Sequence, residues 1–193
     1  MAQARESVVT PERFASGMTY NQYAASIQRN QERFEQNYKV TELSEDDAQA
    51  FRELATRPDG PAKVLVITED WCPDCYREVP VMARIAEAAG MELRILPRDA
   101  NKDVMAEFLK DGQHESIPAF VFYTRDHRYI THWIERSAQA NEQQVTVRKL
   151  FENKSREEAQ AEYAQFQQGN IWAGWRRAAI KELRELLAKS QPQ

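Results

Sequence analysis

Cysteine is scarce here: the 193 residues hold only Cys72 and Cys75. Two cysteines cannot make a disulfide framework, and a chain of this length builds a core without one. Histidine is equally thin, and His114, His127 and His132 lie far from the cysteines in sequence. A structural zinc site wants four ligands, so two thiols would need a second chain to complete the set. No basic block is present and the formal net charge is −4, which argues against nucleic acid as the main partner. No apolar run approaches the ~20 residues of a membrane span, so no membrane partner is expected. Residues 1–10, Met-Ala-Gln-Ala-Arg-Glu-Ser-Val-Val-Thr, have no apolar core resembling a signal peptide. A cytoplasmic location is the expectation. Internal repeats and low-complexity segments are also missing.

What is present lies in one place. Glu69-Asp70-Trp71-Cys72-Pro73-Asp74-Cys75 follows the apolar run Val64-Leu65-Val66-Ile67 and precedes a segment of helical periodicity. In a reducing compartment a lone Cys-x-x-Cys points to catalysis or metal binding rather than to a structural disulfide. Placed at a helix N-terminus, Cys72 faces unpaired N–H groups and the positive end of the helix dipole, both of which favour a thiolate. As the N-cap, its sulfur is expected to accept a hydrogen bond from the N–H of residue 74 or 75. Pro73 suits the first helical position, where its fixed φ and missing N–H cost nothing. Cys75 lies one turn further in, close enough to close a disulfide after Cys72 has attacked a target. These residues read as a thiol–disulfide exchange site, with two inert core thiols as the plainer alternative.

Asp74 is the unusual residue, since a carboxylate between two thiols opposes a neighbouring thiolate. At an exposed position that repulsion is on the order of 1 kcal/mol. It would roughly offset the helix-end effect of about 0.3–1 kcal/mol. Cys72 is therefore expected to be moderately acidic. Asp74 is a candidate to pass protons to or from Cys75, or is simply a first-turn acid that stabilises the helix. Trp71 would lay an apolar body beside an exposed Cys72 sulfur and shield one side of the pair.

Along the chain, residues 1–13 read as a loose lead-in closed by Thr10-Pro11. Tyr20, Tyr23, Ile27, Phe34 and Tyr38 recur near helical spacing from Thr19 to about Tyr38. Ser44, with Asp47 three residues on, starts a helix that stops before Arg57-Pro58-Asp59-Gly60. Then come a strand over Lys63–Thr68, a helix from Cys72 to Ala89 capped by Gly90, and a strand over Glu92–Pro97. A helix from Asp99 or Asn101 through Lys110 follows, then strands Ala119–Thr124 and Tyr129–Ile134 about a hairpin-length connection. The order is β-α-β-α-β-β, with helices expected on both faces of the sheet. From Asn141 the chain is helical and charged. Its last helix carries Trp175, Ile180, Leu183 and Leu187 and reads as an amphipathic cover on the core, or as a homodimer surface.

This order, with Trp71-Cys72-Pro73-Asp74-Cys75 after the first core strand and Ser116-Ile117-Pro118 before the third, resembles thioredoxin. The resemblance covers about residues 62–137. The WCPDC form looks like cytosolic thioredoxin-related proteins, and the flanking helices are similar to a bacterial thioredoxin-like family of about this length. It implies an α/β, thioredoxin-like fold: a four-stranded mixed central sheet with flanking helices, plus helical additions over about 14–58 and 141–190, as a single domain. It implies that Cys72 is the nucleophile and Cys75 the resolving thiol. It also implies that Pro118 is a cis-proline opposite the cysteines, turning the Ile117 backbone outward to pair with an extended substrate. Arg136 falls where the family brings a loop back toward the site, to favour the thiolate or hold an acidic group of the substrate. One departure stands out. Thioredoxins carry a buried acid six residues before the first cysteine, and here that position is Val66, leaving Asp74, Glu69 or water to substitute.

The function so implied is a cytosolic disulfide reductase acting on a disulfide-containing protein or a small disulfide. A thioredoxin-reductase-like system or a low-molecular-weight thiol would recharge it, with no metal and no organic cofactor. Two alternatives use the same fold: an adaptor or chaperone-like module that holds a partner with its long helices, and a redox sensor in which a Cys72–Cys75 bond changes how those helices pack.

Overall fold

The computed structural model describes residues 7–192. Four helices lead in: α1 (Pro11–Ala15), α2 (Tyr20–Ser26), α3 (Gln31–Val40) and α4 (Glu45–Thr56). Three of their starts follow from a capping hydroxyl. Thr10, Thr19 and Ser44 accept hydrogen bonds from the N–H groups of Arg13, Gln22 and Asp47. Among the described residues, the lead-in expected to be loose over 1–13 is held against the core, with Val9 and the neighbouring Phe14 buried and Ser7 Oγ and the Val8 N–H donating to Glu107. Residues 1–6 lie outside the described residues. The helix expected from Thr19 to about Tyr38 is two helices. Ile27 leaves α2 with ψ 126° and Asn30 enters α3 at a left-handed φ of 59°. The aromatic spacing survives because the two helices fold together: Tyr20 stacks on Tyr38 at 5.0 Å and Tyr23 meets Phe34 edge-on at 5.7 Å.

The sheet begins with β1 (Lys63–Thr68), in which Val64, Leu65, Val66 and Ile67 are all fully buried. Burial on both faces is what a central strand of branched residues provides for. Then come α5 (Pro73–Ala89), β2 (Glu92–Pro97), α6 (Lys102–Met105), β3 (Ala119–Tyr123) and β4 (Tyr129–Ile134). Strand order is β2-β1-β3-β4. The pair β1–β2 is parallel, with α5 as its crossover, while β3 runs antiparallel to both β1 and β4. This is a four-stranded mixed sheet with flanking helices, a thioredoxin-like fold. β3 stops one residue short of the expected end, because Thr124 turns the chain and bonds to Arg128 through both its N–H and its hydroxyl.

α5 runs from an extended Cys72 to a left-handed Gly90 at φ 69°. Pro80 lies inside it, forfeiting the bond its N–H would give to the Tyr76 carbonyl. The helix expected through Lys110 is short. Asn101 spends its side chain on Pro97 and Arg13, the N–H groups of Glu107 and Phe108 bond only three residues back, and Lys110 bridges to His114.

The C-terminal part is α7 (Ala138–Glu142), α8 (Gln144–Phe151), α9 (Arg156–Phe166) and α10 (Asn170–Lys189). α10 lies against α4 and α5 with Trp175, Ala179 and Leu183 fully buried. Its polar edge is tied down as well, by Arg184 on Asp47 at 2.7 Å and by Glu182 accepting from the Trp133 indole at 2.7 Å. Its apolar face thus covers the core within the chain. No described helix is long and apolar enough to cross a membrane.

Candidate active site

The loop leaving β1 is held from two sides before it reaches the cysteines. The Asp70 carboxylate accepts the N–H groups of Gln28 and Arg29, each at 3.0 Å, and Asn30 donates to the Asp70 carbonyl at 2.8 Å. The break between α2 and α3 is therefore satisfied by the active-site loop itself. On the other side Glu69 accepts the Asp99 N–H at 2.7 Å.

Cys72 and Cys75 are free thiols in unequal surroundings. Cys72 is the N-cap of α5, and Pro73 takes the first helical position. The expected capping bond to its sulfur does not form. Instead the thiol donates to the Ile117 carbonyl at 3.5 Å, and Cys72 is only 7 % exposed rather than an exposed sulfur. Its pKa is lowered, first by a hydrogen bond from Cys75 and further by the nearby N–H groups of residues 75 and 74, against burial and the Asp74 charge. Cys75 is fully buried, and burial, followed by its bond and charge contact with Cys72, pushes its pKa well up. The two thiols are thus set apart, Cys72 the more acidic and Cys75 the more firmly protonated.

Ile117–Pro118 is a cis peptide bond, and it faces Cys72 through the Ile117 carbonyl. Trp71 is turned outward, 41 % exposed, with the Arg98 guanidinium 5.0 Å above its ring.

Asp74 is not at an exposed position, as the sequence reading assumes, but 8 % exposed and held by two arginines. Arg77 Nη2 lies 2.5 Å from one carboxylate oxygen and Arg136 Nη2 2.7 Å from the other. Those pairings absorb much of its charge, though what remains still opposes the Cys72 thiolate. Among the described residues no hydrogen bond joins Asp74 to Cys75. Arg136 also pairs with Glu135.

Arg77 and Glu78 escape the sequence reading. Arg77 is buried, lies over the Trp172 ring at 4.6 Å and the Trp175 ring at 5.1 Å, and donates to Glu78 at 2.6 Å. Burial lowers the Arg77 pKa, but the Glu78 and Asp74 carboxylates outweigh it and leave the group more basic than a free arginine. Burial pushes Glu78 up to about 7, with the Arg77 charge opposing it. The only signal in the sequence was the pair of indoles three residues apart in a charged helix.

Val66, at the position of the missing acid, is fully buried, and Glu69 is committed to Asp99. The polar groups beside Cys75 are hydroxyls. Thr68 lies against the thiol and restrains the rise of its pKa, and Tyr23 lies next to Thr68 and Cys75. Neither the Thr68 nor the Tyr23 oxygen completes a full hydrogen bond. No group of three metal-ligating side chains occurs among the described residues. The three histidines serve elsewhere: His114 in the bridge to Lys110, His127 on the Val9 carbonyl and His132 against Tyr129.

A cavity of about 450 Å³ opens beside Cys72. Cys72, Asp74 and Arg77 line one side, with Ile117 and Arg136. The other wall comes from the C-terminal helices, through Val147 and Phe151 of α8, Tyr163 of α9, and Trp172 and Trp175 of α10.

Two solved structures share this architecture. A protein of unknown function from Pseudomonas aeruginosa superposes with a TM-score of 0.65 at 15% identity, over 91% of this chain and 94% of that one. An HIV epitope-scaffold gives a TM-score of 0.63 at 15% identity, over 95% of this chain and 98% of its own. At such identity the likeness is one of fold. No curated protein matches the chain. The sequence pattern of the thioredoxin family matches residues 17–166, which takes in α2, α3 and α4 and the C-terminal helices through α9 as well as the sheet and the cysteines. The agreement of that match with the strand order places this chain in the thioredoxin family.

Proposed function

We propose that the protein is a thiol–disulfide oxidoreductase working as a disulfide reductase. The observation that carries this reading is the unequal setting of its two free thiols: Cys72 acidified at the start of α5, Cys75 buried and held protonated behind it. The Cys72 thiolate attacks one sulfur of a disulfide, and a mixed disulfide forms as the first substrate thiolate leaves. Cys75 then loses its proton and attacks Cys72 Sγ, which closes the Cys72–Cys75 bond and releases the second thiol. Ile117, freed of the Cys72 thiol proton, offers its carbonyl to the substrate backbone beside Pro118.

Arg136 and Arg77 neutralise Asp74, so the carboxylate tunes Cys72 without suppressing it. The Thr68 hydroxyl is the polar group that steadies Cys75 as it ionises, in place of the absent acid at Val66. The chemistry resides in the sulfurs and calls for no organic cofactor. A reducing compartment such as the cytosol would return the pair to dithiol, through an NADPH-linked reductase or a low-molecular-weight thiol.

The test is trapping. With a disulfide substrate, Cys75→Ser is expected to accumulate a mixed disulfide on Cys72, visible by mass spectrometry, and Cys72→Ser to form none. A stable adduct on Cys75 in the Cys72→Ser protein would reverse the assignment.

A further inference from the structure

The C-terminal helices do more than cover the core, because they close one side of the space in front of Cys72. Cys72, only 7 % exposed, lines a cavity of about 450 Å³. Small-molecule sites span roughly 300–1,000 Å³, so this one falls within that class. Its far wall carries Val147, Phe151 and Tyr163, with Phe151 46 % exposed and its ring 5.7 Å from that of Tyr163. An aromatic ring left uncovered in a cavity wall awaits apolar contact from whatever enters. The cavity is also lined by Arg98, Glu115, Glu135 and Arg136, with Arg98 paired to Asp99, Glu115 to Lys102, and Arg136 and Glu135 to each other, so it presents both signs of charge. A lining of balanced, mutually paired charges suits a molecule that itself carries both carboxylate and ammonium groups better than one of a single charge.

We propose that the substrate is a low-molecular-weight disulfide built from amino-acid units, taken into this cavity in preference to a disulfide on a folded protein. A folded partner has to bring its sulfur between two walls to reach Cys72, whereas a small disulfide fills the space they leave. The inference rests on the exchange chemistry proposed above. In one turnover two electrons pass from the cysteine pair to the substrate. The substrate S–S bond breaks, one thiolate departs and takes a proton from water, and the other leaves as a thiol with the Cys75 proton while the Cys72–Cys75 bond forms. The pair is oxidised, and a cellular dithiol or thiol reductant restores it.

Single-turnover oxidation of the reduced full-length protein tests this, with oxidised glutathione and insulin as the two probes and loss of free thiols as the readout. Oxidised glutathione is expected to react faster, per disulfide, by about tenfold or more, a difference of about 1.4 kcal/mol in barrier. Val147→Trp, which fills the cavity, is expected to slow the glutathione reaction. Because Val147 is part-buried, the exposed Phe151→Ala serves as a second variant and is expected to narrow the preference between the probes. Insulin reacting as fast as oxidised glutathione, with both variants leaving the ratio unchanged, would overturn the small-disulfide assignment while leaving the exchange chemistry intact. Reaction with neither probe would overturn both.

Discussion

Cys72 and Cys75 are three residues apart in sequence, and their settings differ more than that spacing suggests. Cys72 gains a hydrogen bond and helix-end N–H groups, which outweigh its burial; Cys75 has burial working almost unopposed. Iodoacetamide labelling of the reduced protein is therefore expected to modify Cys72 alone. Its rate should rise with pH through a midpoint below the ordinary thiol value of 9.0. A midpoint above that value would mean that burial and Asp74 dominate. A second titrating residue is Glu78, whose pKa is raised from 4.5 to about 7. A carboxyl raised on folding keeps its proton longer in the native state, so its contribution favours the fold at low pH and is lost as pH rises from about 4.5 to 7. At about 1.36 kcal/mol per unit, that loss is about 3 kcal/mol across the window. Denaturant unfolding of the wild type and Glu78→Gln at pH 5 and pH 7.5 should show the difference moving toward the variant at the higher pH. A constant difference would place the Glu78 carboxyl near its ordinary value.

At the scale of elements, the legible parts were those with local signals. β1, β2 and β4 form where alternation and apolar runs place them, and the capping residues Ser44, Cys72 and Gly90 mark helix ends as read. What escaped the sequence was set by distant partners. The break at residues 27–30 exists because Asp70, forty residues on, accepts the freed N–H groups. The buried state of Asp74 depends on Arg136 from beyond β4 and on Arg77, which is buried against the indoles of α10. A single sequence gives Asp70 and Arg77 no mark of these roles, and it marks Asp74 and Arg136 without showing that they pair. Two substitutions probe this wiring. Asp70→Ala leaves two backbone N–H groups without their acceptor at a partly exposed site and is expected to cost about 1–2 kcal/mol in denaturant unfolding. Leu183→Ala, at a fully buried position of α10, is expected to cost about 2–5 kcal/mol. A cost near zero for Leu183→Ala would mean that α10 is only loosely attached.

For the whole molecule, a thioredoxin-like sheet presents two thiols at one end, and helices from both ends of the chain converge on that end. α2 and α3 brace the loop before Cys72, while α8, α9 and α10 wall the space in front of it. The added helices thus hold and enclose the sulfur pair, which in the function proposed supplies the chemistry. Its midpoint potential is the most direct test of the function proposed, measured on the full chain in thiol redox buffers with free thiols counted by mass-tagging. The expected result is reversible closure of Cys72–Cys75 near about −270 mV, the range of a disulfide reductase in a reducing cytosol. A pair that never closes, or one that closes near about −120 mV as a strong oxidant does, would contradict it.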